Sequence, residues 1–351
     1  MIRIALIPGD GIGPEVVREG RRVLEAAVSA GLAEVRVEEF PHGADHFLAT
    51  GETLSEPVFE RLRDEFDAIL LGAVGDPRVP DNRHARDILL GLRFRLDLYL
   101  NFRPARLRLA ELSPLKGAAA GIPDIHVFRE NTEGFYTGSG GSLRPGTPQE
   151  VATSESFATR FGVERIVRAA FEHAREHDRP GVTLADKANA VPHVYGLWRR
   201  VFAEVGKEYP DVKSEAAYVD ALAMQLVRHP GRFSVIVTEN LLGDILSDLL
   251  AELAGGVGLA PSANLNPGRH ALYEPVHGSA PDIAGTGTAN PIATILCVGM
   301  LFRNAGLAEA ADRIEAAVDE SLGQGIRTPD VRGESTTEEV GRWIADRVAA
   351  A

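Results

Sequence analysis

The sequence predicts an α/β protein built on a largely parallel sheet. Two observations carry that expectation. Short β-branched apolar runs alternate along the chain with longer segments of helical apolar spacing. Glycine-bearing turns follow several of those runs, as they do where a strand hands over to a helix. A length of 351 residues is enough to bury a full core and to divide it into two lobes.

Residues 2–7 read as the first buried strand. Pro14 opens a helix at a position where its missing N–H costs nothing. Val16, Val17, Val23, Leu24 and Ala27 give that helix one apolar face. Residues 35–40 alternate as a second strand, and residues 68–71 form a third that ends at Gly72-Ala73-Val74-Gly75. Residues 97–103 lead into a middle section. There, 125–128 is a strand, the glycine-rich 138–146 a projecting hairpin or loop, and 160–173 an amphipathic helix. A strand at 182–185, a helix at 194–205 and a strand at 233–238 follow, the last running into a helix that carries Asp244 and Asp248. Glycine and proline dominate from Ala254 to Asn290, which predicts loops, and 292–303 and 307–321 read as two closing helices.

Composition narrows the function. A net charge of −13 excludes nucleic acid as a partner, because phosphate binding needs a basic face. The first apolar run is too short for a signal peptide, and no stretch approaches membrane-spanning length. Cys297 is the only cysteine, so no internal disulfide forms, which fits a cytoplasmic protein. Only four of the 37 basic residues are lysines: Lys116, Lys187, Lys207 and Lys213. Lys187 ends an apolar run in Leu184-Ala185-Asp186-Lys187. A chain that otherwise chooses arginine keeps lysine where an amine must lose its proton, although chance accounts for one such lysine as well.

Asp244 and Asp248 lie one helical turn apart, so their side chains share a face. A bare pair at this spacing is more often a solvated acidic face. Here the residues between and beyond are largely apolar, and unpaired acids are costly to bury on such a helix. Carboxylate oxygens suit Mg²⁺ or Mn²⁺, and Asp220 is the candidate third ligand. Arg93, Arg103, Arg106 and Arg129 present planar forks that grip carboxylates, against the plainer alternative of surface ion pairs. Arg103 and Arg129 end strand-like runs, where ligands of α/β proteins collect. Tyr136 is a possible proton donor, although an isolated tyrosine is more often a core or interface residue. Gly9-Asp10-Gly11-Ile12-Gly13-Pro14 follows a strand as a dinucleotide loop would, but it is not G-x-G-x-x-G and is a weak signal alone.

Four motifs together resemble the β-decarboxylating dehydrogenases, the family of isocitrate, isopropylmalate, homoisocitrate and tartrate/D-malate dehydrogenases. They are Gly9-Asp10-Gly11-Ile12-Gly13-Pro14-Glu15, Arg129-Glu130-Asn131-Thr132-Glu133-Gly134, Asp244-Ile245-Leu246-Ser247-Asp248 and His277-Gly278-Ser279-Ala280-Pro281-Asp282-Ile283-Ala284-Gly285. The resemblance runs from Ile4 to the C-terminus. It implies the two-lobed isopropylmalate dehydrogenase-like α/β fold with a sheet running through both lobes, not a Rossmann fold. Residues 1–100 with 252–351 would form the cofactor lobe. Residues 101–251 would form the dimerisation, metal and substrate lobe, with an arm near 138–155. It also implies a homodimer with shared active sites.

Carried onto this chain, the resemblance makes Arg93, Arg103 and Arg129 the clamp for a malate-type dicarboxylate. Tyr136 becomes the acid and Lys187, from the second subunit, the base, with Asn189 beside the nicotinamide. Asp220 of the second subunit, Asp244 and Asp248 would hold Mg²⁺ or Mn²⁺. Gly11, Gly72, Glu274, His277, Gly278, Ser279, Ala280, Asp282, Ile283 and Asn290 would form the nucleotide site. Asp282 can accept from ribose hydroxyls and would repel a 2′-phosphate, which selects NAD. Leu89 and Leu90, one turn before Arg93, offer an apolar wall to a branched alkyl substituent, worth about 0.8 kcal/mol per buried methylene. The expected reaction is therefore NAD-dependent oxidative decarboxylation of 3-isopropylmalate to 2-oxoisocaproate and CO₂, in leucine biosynthesis. Homoisocitrate, tartrate, D-malate and isocitrate remain alternatives. Arg86 either reaches a distal carboxylate or pairs with Asp87. A catalytically silent regulatory homologue is the remaining reading, and it sits poorly with a full set of catalytic residues.

Overall fold

The apolar runs pair into strands, and the helical segments between them cover the strands. The structure, a computed structural model, describes residues 1–118 and 124–350. The chain divides into two units, one of Met1–Leu98, the stretch from Arg106 and the chain from Ala251 on, the other of Tyr99–Ala105 and the chain up to Leu250. Each unit holds five strands of sheet, the second adds a two-stranded hairpin, and eleven α-helices are present among the described residues.

In the first unit β1 (Ile2–Gly9) leads to α1 (Gly13–Ser29), β2 (Val35–Glu39), α2 (Ala44–Thr50), α3 (Glu56–Asp64), β3 (Ala68–Ala73) and α4 (Arg83–Arg95). The centre of β1, Ile4 to Ile7, is fully buried, as a strand flanked on both sides must be. It pairs in parallel with β2 and with β3, where Ile4 faces Ala68 and Leu6 faces Leu70. α1 starts with Pro14 in its first turn and turns Val16, Val17, Val23, Leu24 and Ala27 inward, as the spacing predicts.

The second unit contains β4 (Leu100–Ala105), β5 (Ile125–Glu130), the hairpin β6 (Gly140–Leu143) and β7 (Val151–Ser154), α5 (Arg160–Glu176), β8 (Gly181–Asp186), α6 (Pro192–Gly206), β9 (Lys213–Tyr218), α7 (Val219–Arg228), β10 (Val235–Thr238) and most of α8 (Asn240–Leu253). Its strand order is β4-β5-β10-β8-β9. β10 runs parallel to β5 and β8, so the carboxyl ends of these strands and the start of α8 lie along one edge. β11 (Pro261–Asn266), β12 (His270–Pro275), α9 (Ile292–Asn304), α10 (Ala308–Gly323) and α11 (Thr337–Ala350) complete the first unit.

The strand pairing is largely parallel, as the sequence predicts, although β4 runs antiparallel to β5 and β11 to β12. Two sequence expectations change. The stretch from Ala254 to Asn290, expected as loops, contains that second hairpin. Its buried Asn264 donates to Leu272 O and Glu274 Oε1, so the strand tolerates a polar residue that an apolar pattern would not include. A third closing helix, α11, follows the two expected ones.

Under α5 a histidine pair tests the packing of the second unit. His173 on α5 shares a 2.7 Å hydrogen bond with His126 of β5 and lies against Phe102 and Phe128. Burial, then the neighbouring His126 charge, depresses His173 to about 3. The folded chain therefore keeps His173 neutral while the unfolded chain binds its proton below pH ~6.5. Stability should fall by one proton's linkage from about pH 6.5 downward. His173→Phe should flatten the Tm profile between pH 6.5 and 4.5, and parallel profiles for variant and wild type would refute this assignment.

Candidate active site

The second unit gathers charge around α8. Its start is fixed by Glu239, whose carboxylate accepts from the backbone N–H of Leu241 and Leu242 at 3.0 and 2.8 Å. Leu246 and Leu250 bury one side of the helix. Asp244 and Asp248 sit on another, where β4 and β5 deliver arginines. Arg129 is 1% exposed and Arg103 is 8% exposed. Arg129 Nη1 donates to Asp244 Oδ1 at 2.5 Å. Arg103 Nη1 lies 3.2 Å from Asp244 Oδ1, 3.0 Å from Asp248 Oδ1 and 2.9 Å from Ser247 Oγ.

Tyr136 follows β5 in a short helical turn (Gly134–Thr137), and its phenol donates to Asp244 Oδ2 at 2.7 Å. Burial first, then the Asp244 charge, raises the Tyr136 pKa, so the phenol keeps its proton. Partial burial raises the Asp248 carboxyl as well, opposed by Arg103. Arg103, Arg129, Tyr136, Asp244 and Asp248, identified separately in the sequence, thus form one cluster.

Lys187 and Asp220 form another group. Lys187 Nζ stands 2.8 Å from Asp220 Oδ2, and the lysine holds the exposed carboxyl below its ordinary range. Lys187 closes β8 immediately after buried Asp186, which accepts from Arg199 Nε at 2.7 Å and from Ala188 N at 2.8 Å. Asn189 is exposed in the turn before α6. Among the described residues of one chain, no three histidine, cysteine, aspartate or glutamate side chains form a metal-holding group. Asp244 and Asp248 remain an all-oxygen pair on one helix face, the donor type that Mg²⁺ and Mn²⁺ take.

The remaining candidates lie in the first unit. Gly11 has φ +56°, and a Cβ there would come within 2.0 Å of Ser279 O. Ile12 N also donates to Ser279 O at 2.8 Å, so the β1–α1 loop and the 277–285 loop touch through backbone. Gly278 is open, Ala280 takes φ +38°, and Ile283 packs on Ile12, Val16 and Ala289. Asp282 is exposed on that loop. Among the described residues His277 Nε2 is buried without a hydrogen-bond partner, an orphan that a nucleotide oxygen would satisfy, and burial lowers the His277 pKa.

Three residues are engaged elsewhere. Gly72 is buried in β3, where a Cβ would meet Pro8 O at 2.2 Å, so packing alone requires the glycine. Asn290 donates to Asp330 and accepts from Ile292 N at the start of α9. Arg93 Nη2 donates to Glu274 Oε1 at 2.6 Å, which joins a clamp candidate to a nucleotide candidate.

On α4, Leu89 packs on the cluster of Ile88, Leu92 and Leu272, and Leu90 is half-buried. The Arg86 side chain is 71% exposed, 3.8 Å from Asp87, which agrees with the surface pairing. Sequence reasoning gave no role to Asn240 or Ser247. Ser247 stands inside the Asp244–Asp248 motif and Asn240 one turn before it, and that position was the only available signal.

The model of the family described as isocitrate/isopropylmalate dehydrogenase matches residues 3–344. A 3-isopropylmalate dehydrogenase of Thermobifida fusca is 49% identical, covering 99% of this chain and 98% of its own. That of Frankia casuarinae is 50% identical, over 99% and 100%. The crystal structure of isocitrate dehydrogenase from Methylococcus capsulatus is similar at TM-score 0.91 and 38% identity, covering 99% of this chain and all of that one.

Proposed function

The chain belongs to the isocitrate/isopropylmalate dehydrogenase family, and from that premise we propose that it catalyses the NAD- and divalent-metal-dependent oxidative decarboxylation of 3-isopropylmalate to 2-oxoisocaproate, in leucine biosynthesis. The observation that carries the reading is the Asp244 cluster. Two buried arginines for carboxylates, a protonated phenol and a carboxylate pair lie within hydrogen-bond reach of one another.

In this reading Arg93, Arg103 and Arg129 bind and orient the two carboxylates of the malate core. Lys187 accepts the proton of the C2 hydroxyl as C2 is oxidised. The bond from C3 to the β-carboxylate then breaks, CO₂ departs and an enol remains. Tyr136, held protonated, returns a proton to the former C3. The Gly11 and 277–285 loops would hold NAD, and the bound nicotinamide would supply the acceptor for the hydride that C2 loses. A divalent metal on Asp244, Asp248 and a second chain's Asp220 would supply Lewis-acid polarisation of the substrate oxygens.

The absence of a three-ligand group within one chain, among the described residues, supports a homodimer in which Lys187 and Asp220 serve the partner's site. Exposed Met224 and Val227 on α7, Ile245 on α8, and Leu143 and Val151 on the β6–β7 hairpin supply apolar surface for such an interface. The first unit would be the cofactor lobe and the second the dimerisation lobe with its arm. Among the described residues no helix is long and apolar enough to cross a membrane. The single buried thiol suits a cytoplasmic enzyme.

NADH formation with Mg²⁺ or Mn²⁺ should be fastest on 3-isopropylmalate in a panel with homoisocitrate, isocitrate, D-malate and tartrate. NAD should be preferred over NADP through Asp282. A preference for homoisocitrate or isocitrate would overturn the assignment of Leu89 and Leu90 as the substrate wall.

A further inference from the structure

We propose that Asn240 is the positioning residue that sets the orientation of the Arg129 guanidinium; its effect on turnover rests on the reading above, and its effect on Arg129 does not. One acceptor, Asn240 Oδ1, takes two donors from the same edge of the arginine, Nε at 3.0 Å and Nη2 at 2.7 Å. A guanidinium carries its five N–H groups in a fixed plane. Holding the Nε–Nη2 edge therefore fixes the direction of Nη1, which meets Asp244 Oδ1.

Asn240 is itself held, since its Nδ2 donates to Glu133 O at 3.3 Å. The obvious alternative is that Asn240 serves only to cap α8. Glu239 already accepts from the first N–H groups of that helix, so capping does not require the asparagine amide. A second observation is independent of the amide. A Cβ at Gly243, one turn along, would stand 2.7 Å from Arg129 Cγ and 2.9 Å from its Cβ. The surface of α8 is thus contoured for this one side chain. The chemistry of residue 240 also fits: a neutral amide orients the arginine without cancelling the charge that a substrate carboxylate needs.

The test pairs kinetics with the Arg129 Nε–H NMR signal, assigned as the one that vanishes in Arg129→Lys. Asn240→Ala should speed hydrogen exchange at that Nε–H at least tenfold. It should raise KM for 3-isopropylmalate at least tenfold and leave KM for NAD within twofold. Gly243→Ala should reproduce the selective rise in KM by pushing on the arginine stem. Unchanged Nε–H exchange in Asn240→Ala, or an unchanged KM for 3-isopropylmalate, overturns the proposal. A rise in both KM values together with a general loss of Tm also overturns it, in favour of a purely structural role. If the wild-type protein turns over no substrate of the panel, the dehydrogenase reading fails, and Nε–H exchange alone then decides whether Asn240 positions Arg129.

Discussion

Lys187→Ala is expected to lower kcat on 3-isopropylmalate by roughly 10³-fold while leaving NAD affinity unchanged, the usual scale for removing a general base. Lys187 is one of four lysines in a chain with 37 basic residues, and it follows directly on β8. Asp186 anchors the turn through Arg199 and the Ala188 N–H, which holds the lysine without using its amine. The amine instead faces Asp220. Lys187→Arg preserves the charge and the pairing but removes the ability to take up a proton near neutral pH, so it should be almost as slow as alanine. Steady-state rates, with added primary amines to rescue the alanine variant, check this. Wild-type rates in either variant would remove Lys187 from the mechanism.

Asp244→Ala is expected to abolish metal-dependent turnover and to cost roughly 1–3 kcal/mol of stability, because Arg129 is buried but the Asp244 carboxylate is partly exposed. Asp244 Oδ1 faces both Arg103 and Arg129, and Oδ2 accepts from Tyr136. Removing it leaves the Arg129 cation, which is 1% exposed, without that counter-charge. The Tyr136 phenol would also lose its acceptor. Denaturant melts and Mn²⁺ titration of activity report the two effects separately. A variant with unchanged midpoint and unchanged Mn²⁺ response would show that Asp244 neither balances the arginines nor serves a metal.

Much of the frame was legible because its elements follow simple periods. β1, β3, α1, α5 and α9 have apolar spacings that burial alone demands. β11 and β12 were hidden because their buried polar residues, Asn264 and Glu274, satisfy each other across the hairpin, which no local pattern reveals. β9 is an edge strand with Lys213 and Glu215 exposed, so it reads as a loop. In the site, spacing was sufficient to put Asp244 and Asp248 on one face. It could not reveal that Arg129 would meet Asn240 and Asp244, more than 100 residues away in the chain. Nor could it show that Arg93 and Glu274, assigned to different ligands, would pair across 181 residues. Such pairs depend on which strands become neighbours, and that is a property of topology.

One carboxylate in the first unit spans similar distances. Asp10 accepts from Ala44 N at 2.6 Å and from Gly75 N at 2.8 Å, and it meets His84 Nε2 at 2.9 Å. These partners lie 34, 65 and 74 residues further along the chain. Each contact closes a long loop, whose entropic cost must be met before the bond forms. All three require β1, β2 and β3 to be in place already. Asp10 is therefore expected to engage late in folding, so Asp10→Ala should speed unfolding of the lobe in stopped-flow denaturant jumps more than it slows refolding, and a matching loss in the refolding rate would refute this.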